Sequence, residues 1–516
     1  MRFSDELFSI LRVLCFISMC ASSIIVIYTI PQENTILYAQ VQFIDEIEAN
    51  TDNSIESSTQ LNIISDAWKT ESESDLKKEM HIKHFTDDID AVPQDTVRVC
   101  PIQYHSPEVI PNLNQKWQTL TISKPNARSS RKLTIFLLNA YFDYIDNNTV
   151  HLFTLNTGYQ DKNRTIYCQF SRHGMDESVA VQAKMIRLTR YQNSGRINKV
   201  QFNPYLYKCE IPRENTGLNF THVSLVRKPC ANVTNLVPIT YAEKSNGFQH
   251  EFGVCVPIGY GNKSDADFVS LIEWFEFHRL LGVSKIHVYN GTLTVGSKIQ
   301  RVFNYYVKNK LLEIIQMPPP MTNYIEKEAE GAGKMMTYAA NNDCLYRNRY
   351  KHRFISMVDF DEIIIPSNAS DYNGMILDLK KSSTINVDKN SLFFMSDNYF
   401  LEYAADETQP DILPSMRHRE FASVPGFRMK SFHNPRICTR TNSHKCETHF
   451  HRFVSPRIGT VHHYRKTCQS HNNPQYWSEK RCSMLANKTH VNEQVLNFKP
   501  TLLENVKRAH IEINEN

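Results

Sequence analysis

Hydrophobic and polar positions follow different patterns in successive parts of the chain. From about Thr96 to Gln249, short apolar runs such as Leu133-Thr-Ile-Phe-Leu-Leu138 and Thr149-Val-His-Leu-Phe-Thr154 are separated by turn residues, among them Asp146-Asn147-Asn148. Such runs predict strands, and 96–249 reads as a small β-rich domain. From 250 onward the texture alternates. Phe252 to Pro257 predicts a strand. Phe268, Leu271, Ile272 and Phe275 then recur at helical spacing, with Ser264 or Asp265 as cap and Gly282 as stop. Lys285 to Asn290 predicts a second strand, and Ile299, Val302, Phe303 and Tyr306 a second helix. Leu311 to Ile315 predicts a third strand, and Gly333 to Tyr346 a third helix beyond the loop at Pro318 to Pro320. Strands alternating with helices predict an α/β fold, a mostly parallel sheet with helices on both faces.

The amino-terminal pattern is different again. Val13 to Ile30 is an uncharged, mostly apolar run preceded by Arg2 and Arg12. That length suits a bilayer span, and the basic residues before it place 1–12 in the cytoplasm and the remainder in a lumen. A cleaved signal peptide is the competing reading. Residues 31–95 are rich in Ser, Thr, Asn, Asp and Glu without a sustained apolar period, the composition of a stem. The alternating region is expected to run over 250–500, with 501–516 as a carboxyl-terminal tail.

Composition adds two constraints. A net charge of +4 over 516 residues offers no case for a nucleic-acid partner. Beyond the span lie eight glycosylation acceptor sequences, at Asn147, Asn163, Asn219, Asn232, Asn262, Asn290, Asn368 and Asn487, and ten of the 12 cysteines. An even cysteine number in an oxidising compartment predicts disulfides. Up to five are possible; buried free thiols are the alternative, and it applies best to Cys255 and Cys344, set in apolar surroundings.

The candidate chemistry centres on Arg353-Phe-Ile-Ser-Met-Val-Asp-Phe-Asp-Glu-Ile-Ile-Ile-Pro366. Its first apolar run predicts a buried strand that delivers Asp359 and Asp361 at its carboxyl end. With a strand's period of two, both carboxylates face one side while Phe360 turns inward. Ligands of open α/β sheets bind beyond the carboxyl ends of the strands. Paired carboxylates there suit a hard divalent cation, which in turn holds phosphate oxygens. A solvated acidic turn is the bland alternative. Downstream, Arg417 to Lys466 holds eleven Lys or Arg and seven His against only Glu420 and Glu447. Such an excess can offset the charge that builds on a diphosphate leaving group. His449, His451, His462 and His463 are candidate imidazole ligands. Cys438, Cys446, His449 and His451 form an alternative set for structural zinc.

Four stretches together resemble glycosyltransferase family 92. They are Trp274-Phe-Glu-Phe-His-Arg-Leu-Leu-Gly-Val283 running into His287-Val-Tyr-Asn290, Asn342-Asp-Cys-Leu-Tyr-Arg347, Val358-Asp-Phe-Asp-Glu-Ile363 and His462-His-Tyr-Arg465. The resemblance implies a GT-A-like, Rossmann-type catalytic domain in a single-pass type II Golgi membrane protein. It implies a manganese ion, a nucleotide-sugar donor (most often UDP-galactose) and a glycan acceptor on a glycoprotein or glycolipid, joined by an inverting β-linkage. By position, Asp359 and Asp361 meet the metal and diphosphate, His463 is a third ligand, Arg465 faces the phosphates and Asn290 meets the nucleoside. Asn290 is read as unglycosylated. Asp397 and Glu402 are the candidate catalytic bases, with Glu447 third. A transferase of another nucleotide sugar, and a glycan-binding membrane glycoprotein without catalysis, are the alternatives.

Overall fold

The computed structural model describes residues 97–515 with interruptions, the longest at 102–117, 318–328, 402–412 and 466–488. The expected anchor and stem therefore lie outside the described residues. Among the described residues, no helix is long and apolar enough to cross a membrane.

Between Val97 and Thr240 the described residues form one sheet of eleven strands. Its centre is a hairpin of β1 (Lys132–Asp143) and β2 (Thr149–Thr157). Asn147 and Asn148 take φ of 49° and 56° at its tip, and Asp146 O accepts the Thr149 N–H at 3.0 Å. Successive left-handed residues match the twist of a hairpin, and asparagine tolerates them well. Val150 and Leu152 of β2 join the core of this sheet, whereas Phe153 and Leu155 join a second core beyond it.

The α/β part runs β3 (His250–Gly259), α1 (Phe268–Leu280), β4 (Val283–Asn290), α2 (Ser297–Lys308), β5 (Leu312–Gln316), α3 (Ala329–Arg347) and β6 (His352–Met357). These strands lie in the order β5-β4-β3-β6, all parallel. Phe252, Val254, Ile286, Val288 and Phe354 face one side, in the core that also holds residues of α1 and α2. Cys255, Tyr289, Ile355 and Met357 face the other, in a core shared with α3 and with Tyr141, Phe153 and Leu155 of the hairpin. Burial on both faces explains why these strands read as continuous apolar runs. Gly282, at φ 92°, closes α1 in the left-handed conformation expected of a helix stop.

Beyond β6 come β7 (Glu362–Pro366), β8 (Ser391–Phe394), β9 (Asn398–Leu401), β10 (Lys430–His433), β11 (His451–Val454) and β12 (Gly459–Arg465). The first sheet continues past β6 as β10-β8-β11, while β7, β12 and β9 open a second sheet of five strands. The carboxyl terminus, expected as a tail, is helix α4 (Lys499–Glu515), with Leu502, Val506, Ala509 and Ile513 buried. It lies in the same core as α1, which is why α1 buries nearly every side chain from Leu271 to His278.

Among the described residues, four disulfides join Cys100 to Cys230, Cys168 to Cys209, Cys255 to Cys344 and Cys438 to Cys446. These bonds agree with the expected disulfides and set aside two alternatives. Cys255 and Cys344 are not free thiols, because the packing of α3 on β3 brings their buried sulfurs together. The bond between Cys438 and Cys446 removes the thiolates that a zinc set would need. Cys468 and Cys482 lie outside the described residues.

Buried polar groups fasten the hairpin to the α/β part. Asp343 of α3 accepts Asn139 Nδ2 at 2.8 Å, the Tyr141 hydroxyl at 2.8 Å and the Tyr289 hydroxyl at 2.5 Å. Asp143, at the end of β1, meets Arg349 Nε at 3.0 Å and accepts the Tyr350 hydroxyl at 2.5 Å. Arg349 also donates to the carbonyls of Pro435 and Cys438. Removing one partner of a buried ion pair leaves the other charge stranded. Arg349→Ala is therefore expected to lower unfolding stability by about 3–5 kcal/mol, measured by urea titration; an unchanged midpoint would show that the pair does not secure the joint.

Glu273 of α1 is buried and accepts the Ser415 N–H and hydroxyl. Burial pushes its carboxyl from 4.5 up to about 7, against those hydrogen bonds. A folded-state value above the unfolded one means that the folded chain holds the proton more tightly. Its contribution to stability is thus full below pH 4.5 and is lost as pH rises to about 7. Glu273→Gln is expected to remove a decline on the order of 3 kcal/mol across that window, read from unfolding midpoints at several pH values. Equal slopes in both proteins would refute this account.

Candidate active site

The site is built where the chain passes from one sheet to the other. Strand β6 ends at Met357, and the Glu362 N–H bonds back to Asp359 O at 3.1 Å, so Asp359-Phe360-Asp361 forms a turn. The two carboxylates share a side because of this turn, not because of a strand pleat. Phe360 points inward as expected, 5.2 Å between ring centres from Trp274 and 6.2 Å from Phe303. The Trp274 indole donates to Glu362 O at 3.1 Å and fixes the far side of the turn.

Asp359, Asp361 and Glu362 bring ligand-type oxygens within 4.8 Å of one another. Antiparallel pairing of β7 with β12 sets His463 opposite Glu362. His463 Nε2 lies 3.3 Å from Asp361 Oδ2, and its Nδ1 lies 3.4 Å from Glu362 Oε1. From the first sheet, Lys430 of β10 places its ammonium 2.6 Å from Glu362 Oε2 and 3.5 Å from Asp359 Oδ2. Glu362 Oε2 also accepts the Asp359 N–H at 2.9 Å.

Lys430 is 2 % exposed and Glu362 6 %. Burial pushes the Glu362 carboxyl up, but Lys430 and His463 outweigh it and hold the group below its ordinary range. Burial likewise pulls the Lys430 ammonium down, while Glu362 and Asp359 raise it above the usual lysine range. The two form a charged pair. Asp359 moves the other way: its dense surroundings and the charges of Glu362 and Asp361 raise its carboxyl despite Lys430. Because half of this side chain is open to solvent, the neighbouring carboxylates are the firmer cause. Three carboxylates thus crowd one ammonium, an excess of negative charge that a divalent cation would relieve. Carboxylate oxygens plus one imidazole form a donor set suited to such an ion.

The remaining expected residues are placed as follows. Asn290 ends β4, half-buried, and its amide donates to Gln316 Oε1 at 3.2 Å. Arg465 ends β12, its backbone paired with Leu401, and its side chain lies outside the described positions. Asp397, Glu402 and His449 also lie outside the described residues. Glu447 is held by Arg440 at 2.9 Å and by Asn442 inside the Cys438–Cys446 loop. His462 faces away from the turn, toward the Tyr464 hydroxyl and Asn492. Glu362 and Lys430 were not singled out from the sequence. Glu362 stood inside a quoted motif without a role, and Lys430 was one of eleven basic residues in its segment.

The sequence profile of glycosyltransferase family 92 matches residues 250–511, just over half of the chain. The chain belongs to glycosyltransferase family 92. The family 92 segment starts at β3 and ends within α4, so it contains the turn, Lys430 and His463. A β-1,4-galactosyltransferase of Caenorhabditis elegans, galt-1, is 24% identical over 177 residues, covering 33% of this chain and 39% of that protein. The match thus spans about two-fifths of the relative's length. No solved structure matches.

Lys430→Met leaves Glu362 buried without its cation, and a loss of about 3–5 kcal/mol is expected. The double change Lys430→Met with Glu362→Gln should recover most of it. Both are read by urea unfolding in chelator; a single variant as stable as the native chain would contradict the pairing.

Proposed function

We propose that this family 92 protein is a metal-dependent, inverting glycosyltransferase that moves galactose from UDP-galactose to a glycan acceptor as a β-linkage. The carrying observation is the turn at the carboxyl end of β6, where Asp359, Asp361 and His463 converge. A carboxylate cluster beyond a parallel sheet stands where α/β folds take nucleotides, and the β5-β4-β3-β6 order supports a GT-A-like reading. The galactose reading draws on the 24% identical galactosyltransferase. In this reading the protein is a single-pass Golgi membrane protein held by Val13 to Ile30, with 250–500 as its lumenal catalytic domain behind the β-rich region.

Asp359, Asp361 and His463 are the residues that would hold the cation, manganese in this reading. When bound, it supplies positive charge opposite the departing diphosphate. Asn290, at the end of β4, orients the nucleoside, and Arg465 offers its guanidinium to the phosphates. Asp397 or Glu402 takes the proton from the acceptor hydroxyl as that oxygen attacks the anomeric carbon and the carbon–oxygen bond to the diphosphate breaks. Attack from the face opposite the leaving group inverts the configuration.

The test is a screen of UDP- and GDP-sugars on the full-length chain, with manganese and then with chelator. Turnover of UDP-galactose that vanishes with chelator is expected; turnover that persists in chelator would overturn the metal reading, and another preferred donor the galactose reading. Asp361→Ala should lower transfer at least about 100-fold while secretion and unfolding midpoint hold. Full activity in that variant would remove Asp361 from the site.

A further inference from the structure

We propose that Glu362 and Lys430 are positioning residues for this site: Glu362 fixes which nitrogen His463 presents to the cation, and Lys430 holds Glu362 in that pose. The inference deepens the metal reading above and rests on it.

The two oxygens of Glu362 have separate tasks. Oε2 is taken twice, by the Lys430 ammonium at 2.6 Å and by the Asp359 N–H at 2.9 Å. Oε1 is thereby left facing His463 Nδ1 at 3.4 Å, from which a small closing movement makes a hydrogen bond. Both ring nitrogens face a carboxylate, Nε2 at 3.3 Å from Asp361 Oδ2; when a cation takes Nε2 the proton must sit on Nδ1, and Glu362 Oε1 stands there to accept it. In that tautomer Nε2, beside Asp361 Oδ2, offers its lone pair to the cation held by the carboxylate cluster. A carboxylate behind the far nitrogen is a recurrent device for orienting a metal-binding histidine. Lys430 reaches Glu362 Oε2 from the other sheet and so decides which of the two oxygens is left for His463.

Glutamine at this position tests the idea because its two ends differ. Lys430 and the Asp359 N–H both donate and claim the amide oxygen, so the amide NH2 must face His463. It would then require an acceptor at Nδ1, moving the proton to Nε2 and withdrawing the lone pair from the cluster. The amide is close to the carboxylate in shape, so the local geometry is kept while the presented nitrogen changes, although Lys430 loses its opposing charge.

The experiment adds manganese(II) chloride alone to the full-length chain, counting free ion by electron paramagnetic resonance. Electron spin-echo modulation then reads nitrogen coupled to the bound ion. The native chain should show one imidazole nitrogen, absent in His463→Ala. Glu362→Gln should bind roughly 10–100-fold more weakly and lose the nitrogen coupling; its unfolding midpoint in chelator should fall below native because Lys430 loses its carboxylate, and the double change with Lys430→Met should recover most of that fall. Should that variant fail to fold, the double change with Lys430→Met carries the same expectation, since the Asp359 N–H still claims the amide oxygen. Native affinity and intact nitrogen coupling in the variant would overturn the positioning role alone. Nitrogen coupling that survives in His463→Ala would also overturn it, and a native chain that binds no manganese would overturn the metal reading together with it.

Discussion

A carboxylate buried where a chain crosses between two sheets must have a positive partner, and Lys430 supplies it to Glu362. Much of the site follows from that requirement. The lysine comes from the first sheet, and Glu362 and His463 come from the second, so the ion pair ties the two sheets together beside the turn. Stranding either charge costs more than the pair gains. The Asp359 turn inherits this rigidity, because its own N–H is tied to the same Glu362 oxygen. Two open carboxylates are thus carried on a base that cannot easily shift.

Behind the site, the β-rich region is more than a neighbour. Its hairpin contributes Tyr141, Phe153 and Leu155 to the core that backs β3, β4 and α3. Asp343 collects hydroxyls from both sides of that contact, and Asp143 meets Arg349 in the turn that precedes β6. A displacement of the hairpin would strand two buried carboxylates and open an apolar core. The strand that delivers the Asp-Phe-Asp turn is therefore braced on one face by α1 and α2 and on the other by α3 and the hairpin. The Cys255–Cys344 bond adds a covalent tie between β3 and α3.

The amino-acid sequence by itself determined the local elements and their order. Apolar runs and helical spacing announced β3 through β6 with boundaries within a few residues, since parallel strands buried on both faces have few ways to look otherwise. Gly282 and Asn147-Asn148 announced their turns through backbone conformations that few other residues tolerate. Asp359, Asp361 and the inward Phe360 were legible because all three stand within one short stretch. What only the tertiary structure decided were the relations between distant segments: how the histidine that the family resemblance named comes to stand against the aspartates, which basic residue is buried, and which cysteines pair. His462 and His463 are neighbours with identical chemistry, and only the register of β12 against β7 turns one toward the site and the other away. Lys430 is indistinguishable in sequence from the ten other cations around it. It becomes singular because the fold excludes water from it and leaves a carboxylate to replace that water.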